Sequence, residues 1–346
     1  MNERASMNGK PVFTVPAKTV INFKSAFKEK LLCTGPTFSA GSACPYSCSF
    51  CYVPSQMNKQ MPWLEAHGVA GKHEDIVIRR ANAVEIAIAQ ILSRPESERF
   101  TKFGTPPTVV YSSPLTDVAA NMDLVKETVD LCLAILQNTN WDIRLLSKSN
   151  LLPKVAKMLS DADDGCSTSD FARHGYAARV IYGVSTGTLD DRIAAAFEEG
   201  CPLVSKRIQS IRWLQDHGYR TFAMVCPSLP MNDYDHFAKT MRDELQYDKM
   251  EHVWAEVINL RGESFTRTVA ALRGAGFGPW ADDLVRVSKD KDAWEEYARA
   301  TFLAHRKWAG GRLRFLQYVD ENNIGWWSHY ADSGAVLLGK LVHNDA

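Results

Sequence analysis

The chain has no surplus charge of either sign: 40 Lys and Arg stand against 40 Asp and Glu over 346 residues. That balance excludes a uniformly basic coat for nucleic acid, which needs clustered cations to meet phosphates. A local basic groove is still compatible with it, so a nucleic-acid partner stays open without support from charge. No apolar run approaches the roughly 20 residues of a membrane helix. Residues 1–30 are polar and mixed, without the apolar stretch of a secretion signal. The expectation is a cytoplasmic protein with no membrane partner. No solenoid-period repeat and no low-complexity tract is present. His67, His73, His174, His217, His236 and His252 show no metal-ligand spacing.

What is present is an ordinary globular composition, 45% hydrophobic and 23% charged, arranged as an alternation. Thr108 to Ser112, Asp142 to Leu146, Ala178 to Val184, Tyr219 to Val225 and His252 to Ile258 are β-branched or aromatic runs that predict strands. Apolar stripes at helical spacing predict helices over 122–136, 151–159, 189–197, 206–216 and 234–245. Thr37 to Ala43 adds a short extended piece before the first of these. Strands alternating with helices imply an α/β protein with a parallel sheet, whose ligands sit at the carboxyl ends of the strands. Residues 161–174 are polar and predict a surface insertion. Beyond residue 261 the rhythm changes, with a charged helix expected over 291–308, a strand-like 314–319 and the pair Trp326-Trp327. The Glu-Glu pairs at 198–199 and 295–296 are expected on solvated helix faces.

Three of the eight cysteines are closely spaced: Cys44, Cys48 and Cys51, in Gly-Ser-Ala-Cys-Pro-Tyr-Ser-Cys-Ser-Phe-Cys-Tyr. Three thiolates on one short loop can bind three irons of a cubane and leave the fourth open, as catalytic metals keep an open position. Zinc is the alternative, but a structural zinc wants a fourth ligand, and no second Cys-x-x-Cys occurs. Cys33 and Cys132 are expected to be structural.

The Cys-x-x-x-Cys-x-x-Cys spacing, with aromatics on both sides of the last Cys, resembles the signature of the radical SAM superfamily. The resemblance implies a [4Fe–4S] cluster that holds S-adenosylmethionine and splits it reductively to a 5′-deoxyadenosyl radical. It also implies a reductase or a flavodoxin/ferredoxin-type electron donor as partner. The implied fold is a partial (β/α)6 TIM-type barrel with a C-terminal extension: arm 1–33, core 34–262, extension 263–346.

Further stretches resemble the spore photoproduct lyase-like (DNA repair photolyase-like) branch. They are Ser112-Ser-Pro-Leu-Thr-Asp117, Leu146-Ser-Lys-Ser149, Gly183-Val-Ser-Thr-Gly-Thr-Leu-Asp190 with Glu199-Gly-Cys-Pro202 and Arg207, and Pro227-Ser-Leu-Pro-Met-Asn-Asp233. By that resemblance Tyr52, Thr116, Asp117, Lys148 and Ser185 line the S-adenosylmethionine pocket. Three have a plainer alternative: Asp117 as a helix cap, Ser185 as a turn residue before residue 189, Tyr52 as core packing. Lys148, at the end of a buried strand, needs a partner there. The chain departs from the branch at Ser113-Pro114-Leu115, where spore photoproduct lyase proper has a hydrogen-donating cysteine. The substrate therefore stays open between a DNA lesion and an RNA, peptide or small molecule. A non-catalytic, metal-stabilised binding module is the reading outside enzymes.

Overall fold

In the computed structural model, which describes residues 6–112, 115–162, 175–259 and 263–339, eight strands stand side by side in chain order. They are β1 (Thr37–Phe38), β2 (Val109–Ser112), β3 (Asp142–Ser147), β4 (Val180–Ser185), β5 (Arg220–Ser228), β6 (Val253–Val257), β7 (Leu313–Val319) and β8 (Ala335–Gly339). Every neighbouring pair among them is parallel. One short antiparallel strand, Ile21–Asn22, lies on the outer edge of β1.

Parallel neighbours need long crossovers, usually helical, and the apolar stripes supply them. The main helices are α1 (Ala83–Leu92), α2 (Met122–Asn138), α3 (Leu152–Asp161), α4 (Asp191–Phe197), α5 (Val204–Asp216), α6 (Tyr234–Leu245), α7 (Glu263–Gly274), α8 (Gly278–Lys289) and α9 (Lys291–Ala309). Helix α2 buries Val125, Val129, Leu131, Cys132, Ile135 and Leu136 in the core against the sheet. Asn121, Asp190, Asp233 and Asp290 accept backbone N–H bonds at the starts of α2, α4, α6 and α9. Such caps satisfy donors that the first helical turn leaves free.

The expected α/β architecture with a parallel sheet is what the chain adopts. The sheet also runs past residue 262. Residues 314–319, expected as part of an extension packed on the core, form β7 in parallel with β6, and 335–339 add β8. Three consecutive helices, α7 to α9, provide the crossover that a parallel β7 requires. The insertion expected over 161–174 lies, from residue 163 on, outside the described residues. Among those residues, no helix is long and apolar enough to cross a membrane.

The inner face of the sheet is filled toward the amino ends of the strands. Tyr111, Ile181, Phe222, Trp254, Leu316 and Val336, from six strands, pack with Leu32 and Cys33 of the N-terminal segment. Arg144 donates to the carbonyls of Leu31 and Leu32, and the Trp254 indole donates to Lys30 O (2.9 Å). Residues 30–33 thus stopper the amino ends of the strands. Gly183 is required here, because a Cβ would run into the Phe222 ring. Side chains on one face recur every second residue. Lys148, Ser185, Cys226, Glu256 and Tyr318 therefore share this inner face nearer the carboxyl ends.

A second sheet, Ser6–Met7, Lys10–Val15, Val77–Arg80 and Gly41–Ala43, flanks the first. Its core is Val15, Ala43, Leu64, Val69, Ile76 and Ile78. The N-terminal arm is thereby built into the strand that delivers Cys44.

Candidate functional site

Cys44 follows directly on Gly41–Ala43, and Cys48 lies in a two-residue strand, Ser47–Cys48, paired antiparallel with Glu198–Glu199. Ser49 N donates to Phe197 O (2.9 Å), and Cys51 N donates to Cys48 O (3.1 Å), closing the loop. Two cations hold its carbonyls. Lys10 Nζ donates to Cys44 O (3.1 Å) and Tyr46 O (3.0 Å), and Arg267 of α7 donates to Cys51 O (2.7 Å). Thr116 Oγ1 donates to Ala43 O (3.2 Å), tying the end of β2 to the same loop. The three thiols stay half-buried.

Burial lifts the Cys44 thiol well above its usual value, with Asp117 and Cys48 adding to the effect. Burial also pushes Cys51 up to about 11, with Cys48 adding and Arg267 and Lys148 opposing. Thiols in this setting hold their protons until a metal displaces them. Burial lowers the Lys10 ammonium. Among the described residues, no three of His, Cys, Asp and Glu converge on a site for one metal ion. Thiolates that each bind a different iron of a cubane have no need to converge.

Lys148, just past the end of β3, has its partner. Its Nζ lies 2.7 Å from Glu198 Oε1, donates to Ser185 Oγ (3.0 Å), and sits 5.1 Å from the Phe50 ring centre. Glu198 also pairs with Arg207 at 2.5 Å, and both of these side chains are only 1% exposed. Arg207 donates in turn to Ser185 O (3.2 Å) and Pro202 O (2.8 Å). Burial works to lower the Lys148 ammonium, but Glu198 and Cys48 outweigh it and raise it. The expectation of solvated faces fails at Glu198, which terminates α4 on its inner side and compensates two buried cations. It fails too at Glu295, which accepts from the Trp327 indole (3.0 Å) and Asn323 (2.6 Å).

Asp117 accepts from Ser147 Oγ (2.6 Å), Lys148 N (2.8 Å) and Ala119 N (2.9 Å), clasping the ends of β2 and β3. Burial raises its carboxyl above the usual value against these bonds. It is not the cap of α2; Asn121 is. Nor does Ser185 cap the helix after residue 189, since Asp190 does so. Tyr52 directly follows Cys51, and burial raises its phenol well above the usual value. The structure thus gathers Tyr52, Thr116, Asp117, Lys148 and Ser185 around the three cysteines at the carboxyl ends of β2 to β4.

Three further residues reach this site with no role expected from the sequence, Lys10, Glu198 and Arg267; Cys201 and Cys226 are loop or strand-end thiols that the sequence places within reach of it. The Cys201 sulfur is 3.6 Å from the Cys48 sulfur. Cys226 lies 3.8 Å from Glu256 on the inner face. The order Glu199-Gly-Cys-Pro202 carries the local signal for Cys201; the contacts of Lys10 and Arg267 span 34 and 216 residues and have no local signal.

No family profile matches the sequence, and no curated protein does. Solved structures do. A cysteine-to-serine variant of spore photoproduct lyase matches with a TM-score of 0.52 at 12% identity, covering 76% of this chain and 66% of that one. A cysteine-to-alanine variant with dinucleoside spore photoproduct matches at 0.51 and 11% identity, with the same coverage. SuiB of Streptococcus suis, bound to S-adenosylmethionine, matches at 0.41 and 11% identity over 73% of this chain and 47% of that one, too slight to argue from. The chain spans just under two thirds of the spore photoproduct lyase structures, and at these identities the likeness is one of fold.

Proposed function

Starting from a chain with the radical SAM fold of spore photoproduct lyase, we propose that it is a radical SAM enzyme. The observation that carries this reading is the site of Cys44, Cys48 and Cys51, which open the carboxyl-end face of a parallel sheet beside a buried Lys148. The donor set fits a [4Fe–4S] cluster: three thiols for three irons, with Lys10, Arg267 and Lys148 nearby to offset the thiolate charge. When bound, that cluster supplies one electron to split S-adenosylmethionine into methionine and a 5′-deoxyadenosyl radical.

The chain's own residues position and shield. Lys10 and Arg267 fix the loop carbonyls, so the thiols are presented without strain from elsewhere. Lys148 and Ser185 offer an ammonium and a hydroxyl for the methionine carboxylate and the ribose. Arg207 keeps Glu198 compensated when Lys148 turns to a ligand. Asp117 fixes the backbone of Lys148 and is available to the methionine ammonium, while Thr116 anchors the loop and Tyr52 offers a ring beside the adenine. Residues 34–262 form the core, and β7 and β8 of the extension widen its wall. An external reductase, flavodoxin or ferredoxin-type protein supplies the electron, in a cytoplasm that keeps the thiols reduced.

Anaerobic reconstitution tests the reading. About four irons and four sulfides per chain are expected, and dithionite with S-adenosylmethionine then yields 5′-deoxyadenosine. Full retention of that product in Cys48→Ala overturns it. The stretch that carries a thiol in spore photoproduct lyase proper corresponds to Ser113-Pro114-Leu115 here, which has none. That favours a substrate other than its thymine lesion, in RNA, a peptide or a small molecule. Thymine-dimer DNA that is converted during turnover would reverse the preference.

A further inference from the structure

Cys201 is held against the cysteine loop by backbone, not by a chance rotamer. Phe197 O accepts from Ser49 N (2.9 Å), Glu198 pairs opposite Cys48, and Glu199 pairs opposite Ser47. The chain then reverses at Gly200, whose φ of +78° is a conformation that L side chains rarely adopt. Cys201 N closes the turn onto Glu198 O (3.0 Å), which brings its sulfur to 3.6 Å from that of Cys48. Among the described residues, the thiol–thiol hydrogen bond at this loop is made by Cys48. The arrangement is therefore specific to one corner of the loop.

We propose that Cys201 is a positioning residue whose S–H donates to the Cys48 sulfur and sets the reduction potential of the cluster that this loop holds. This rests on the radical SAM reading above. Hydrogen bonds to ligand sulfurs spread the negative charge of the reduced state and make reduction easier. Glu198, three residues before Cys201 and opposite Cys48 in the same ladder, is occupied by Lys148 and Arg207. It therefore adds no uncompensated charge that would oppose this donor.

The test is a redox titration, followed by electron paramagnetic resonance, of reconstituted wild type, Cys201→Ala and Cys201→Ser. All three are expected to carry about four irons and four sulfides. At a fixed potential the reduced-to-oxidised ratio in Cys201→Ala falls about tenfold, equivalent to about 59 mV for a one-electron couple. Cys201→Ser, which keeps an O–H donor, stays closer to wild type. An unchanged midpoint in Cys201→Ala overturns the proposal. Loss of iron from Cys201→Ala also overturns it, since the thiol would then be a ligand. A wild type that takes up no iron would instead defeat the radical SAM reading itself.

Discussion

Residues 44–51 and residues 302–330 both join distant parts of the chain, and they do so by opposite means. The cysteine loop is held by charged groups arriving from afar: Lys10 from the arm, Arg267 from α7, and Glu198 with its two cations from the end of α4. The C-terminal segment is held by rings. Phe302 packs on Phe315, Trp326, Trp327 and Tyr330, with centroids 5.1–6.0 Å apart. Phe315 and Trp327 stack at 5.7 Å, and Trp327 is fully buried. Aromatic packing seals an edge of the sheet and asks for no ligand. A loop pinned through its carbonyls, with three thiols left half-buried, fits the cluster proposed above.

Two substitutions of similar cost should separate these modes. Glu198→Ala leaves Lys148 and Arg207 buried without a counter-charge and should destabilise the fold by about 4 kcal/mol. Trp327→Ala empties a core position and should cost about 4 kcal/mol as well. Urea denaturation measures both. Iron content per folded chain distinguishes them: it should fall in Glu198→Ala and stay at the wild-type value in Trp327→Ala. Equal iron retention in the two would erase the contrast.

A smaller effect belongs to the ring-packed region alone. His305 in α9 is wholly buried near Phe237, neither ring nitrogen has a hydrogen-bond partner among the described residues, and burial lowers it from 6.5 to about 4. Above pH 6.5 the ring is neutral whether folded or not, so the full stability is present. As pH falls from 6.5 toward 4, the unfolded chain takes up a proton that the folded chain refuses. About 3 kcal/mol should be lost across that window. Denaturation at pH 7.5 and pH 4.5 checks this, with His305→Leu expected to remove that share of the loss. Smaller still, Lys10→Met should cost about 2 kcal/mol through two charge-assisted bonds to carbonyls. It should also speed the loss of iron to a chelator, followed by absorbance.

The sequence made one of these regions far more legible than the other, and for a physical reason. Buried parallel strands such as Val180–Ser185 write themselves as continuous β-branched and aromatic runs, and three thiols at fixed spacing are a local pattern. Strand β8, Ala335-Val-Leu-Leu-Gly339, is too short to be told from a loop until β7 lies beside it. Glu198 continues a helical stripe by one residue, so its sequence reads as a frayed, wet end. Only the pairing with Cys48, 150 residues away, turns it inward. Asp117 and Asn121 illustrate the same limit: both suit a cap, and the tertiary clasp with Ser147 and Lys148 decides which one serves.

The most direct test of the central claim is the electron paramagnetic resonance spectrum of the reduced, reconstituted protein, recorded with and without S-adenosylmethionine. A cluster with one iron free of protein ligands should give a signal that changes when S-adenosylmethionine binds, and Cys48→Ala should give neither the signal nor the change. A wild-type spectrum that is indifferent to S-adenosylmethionine, or iron bound equally well without Cys48, would contradict the account.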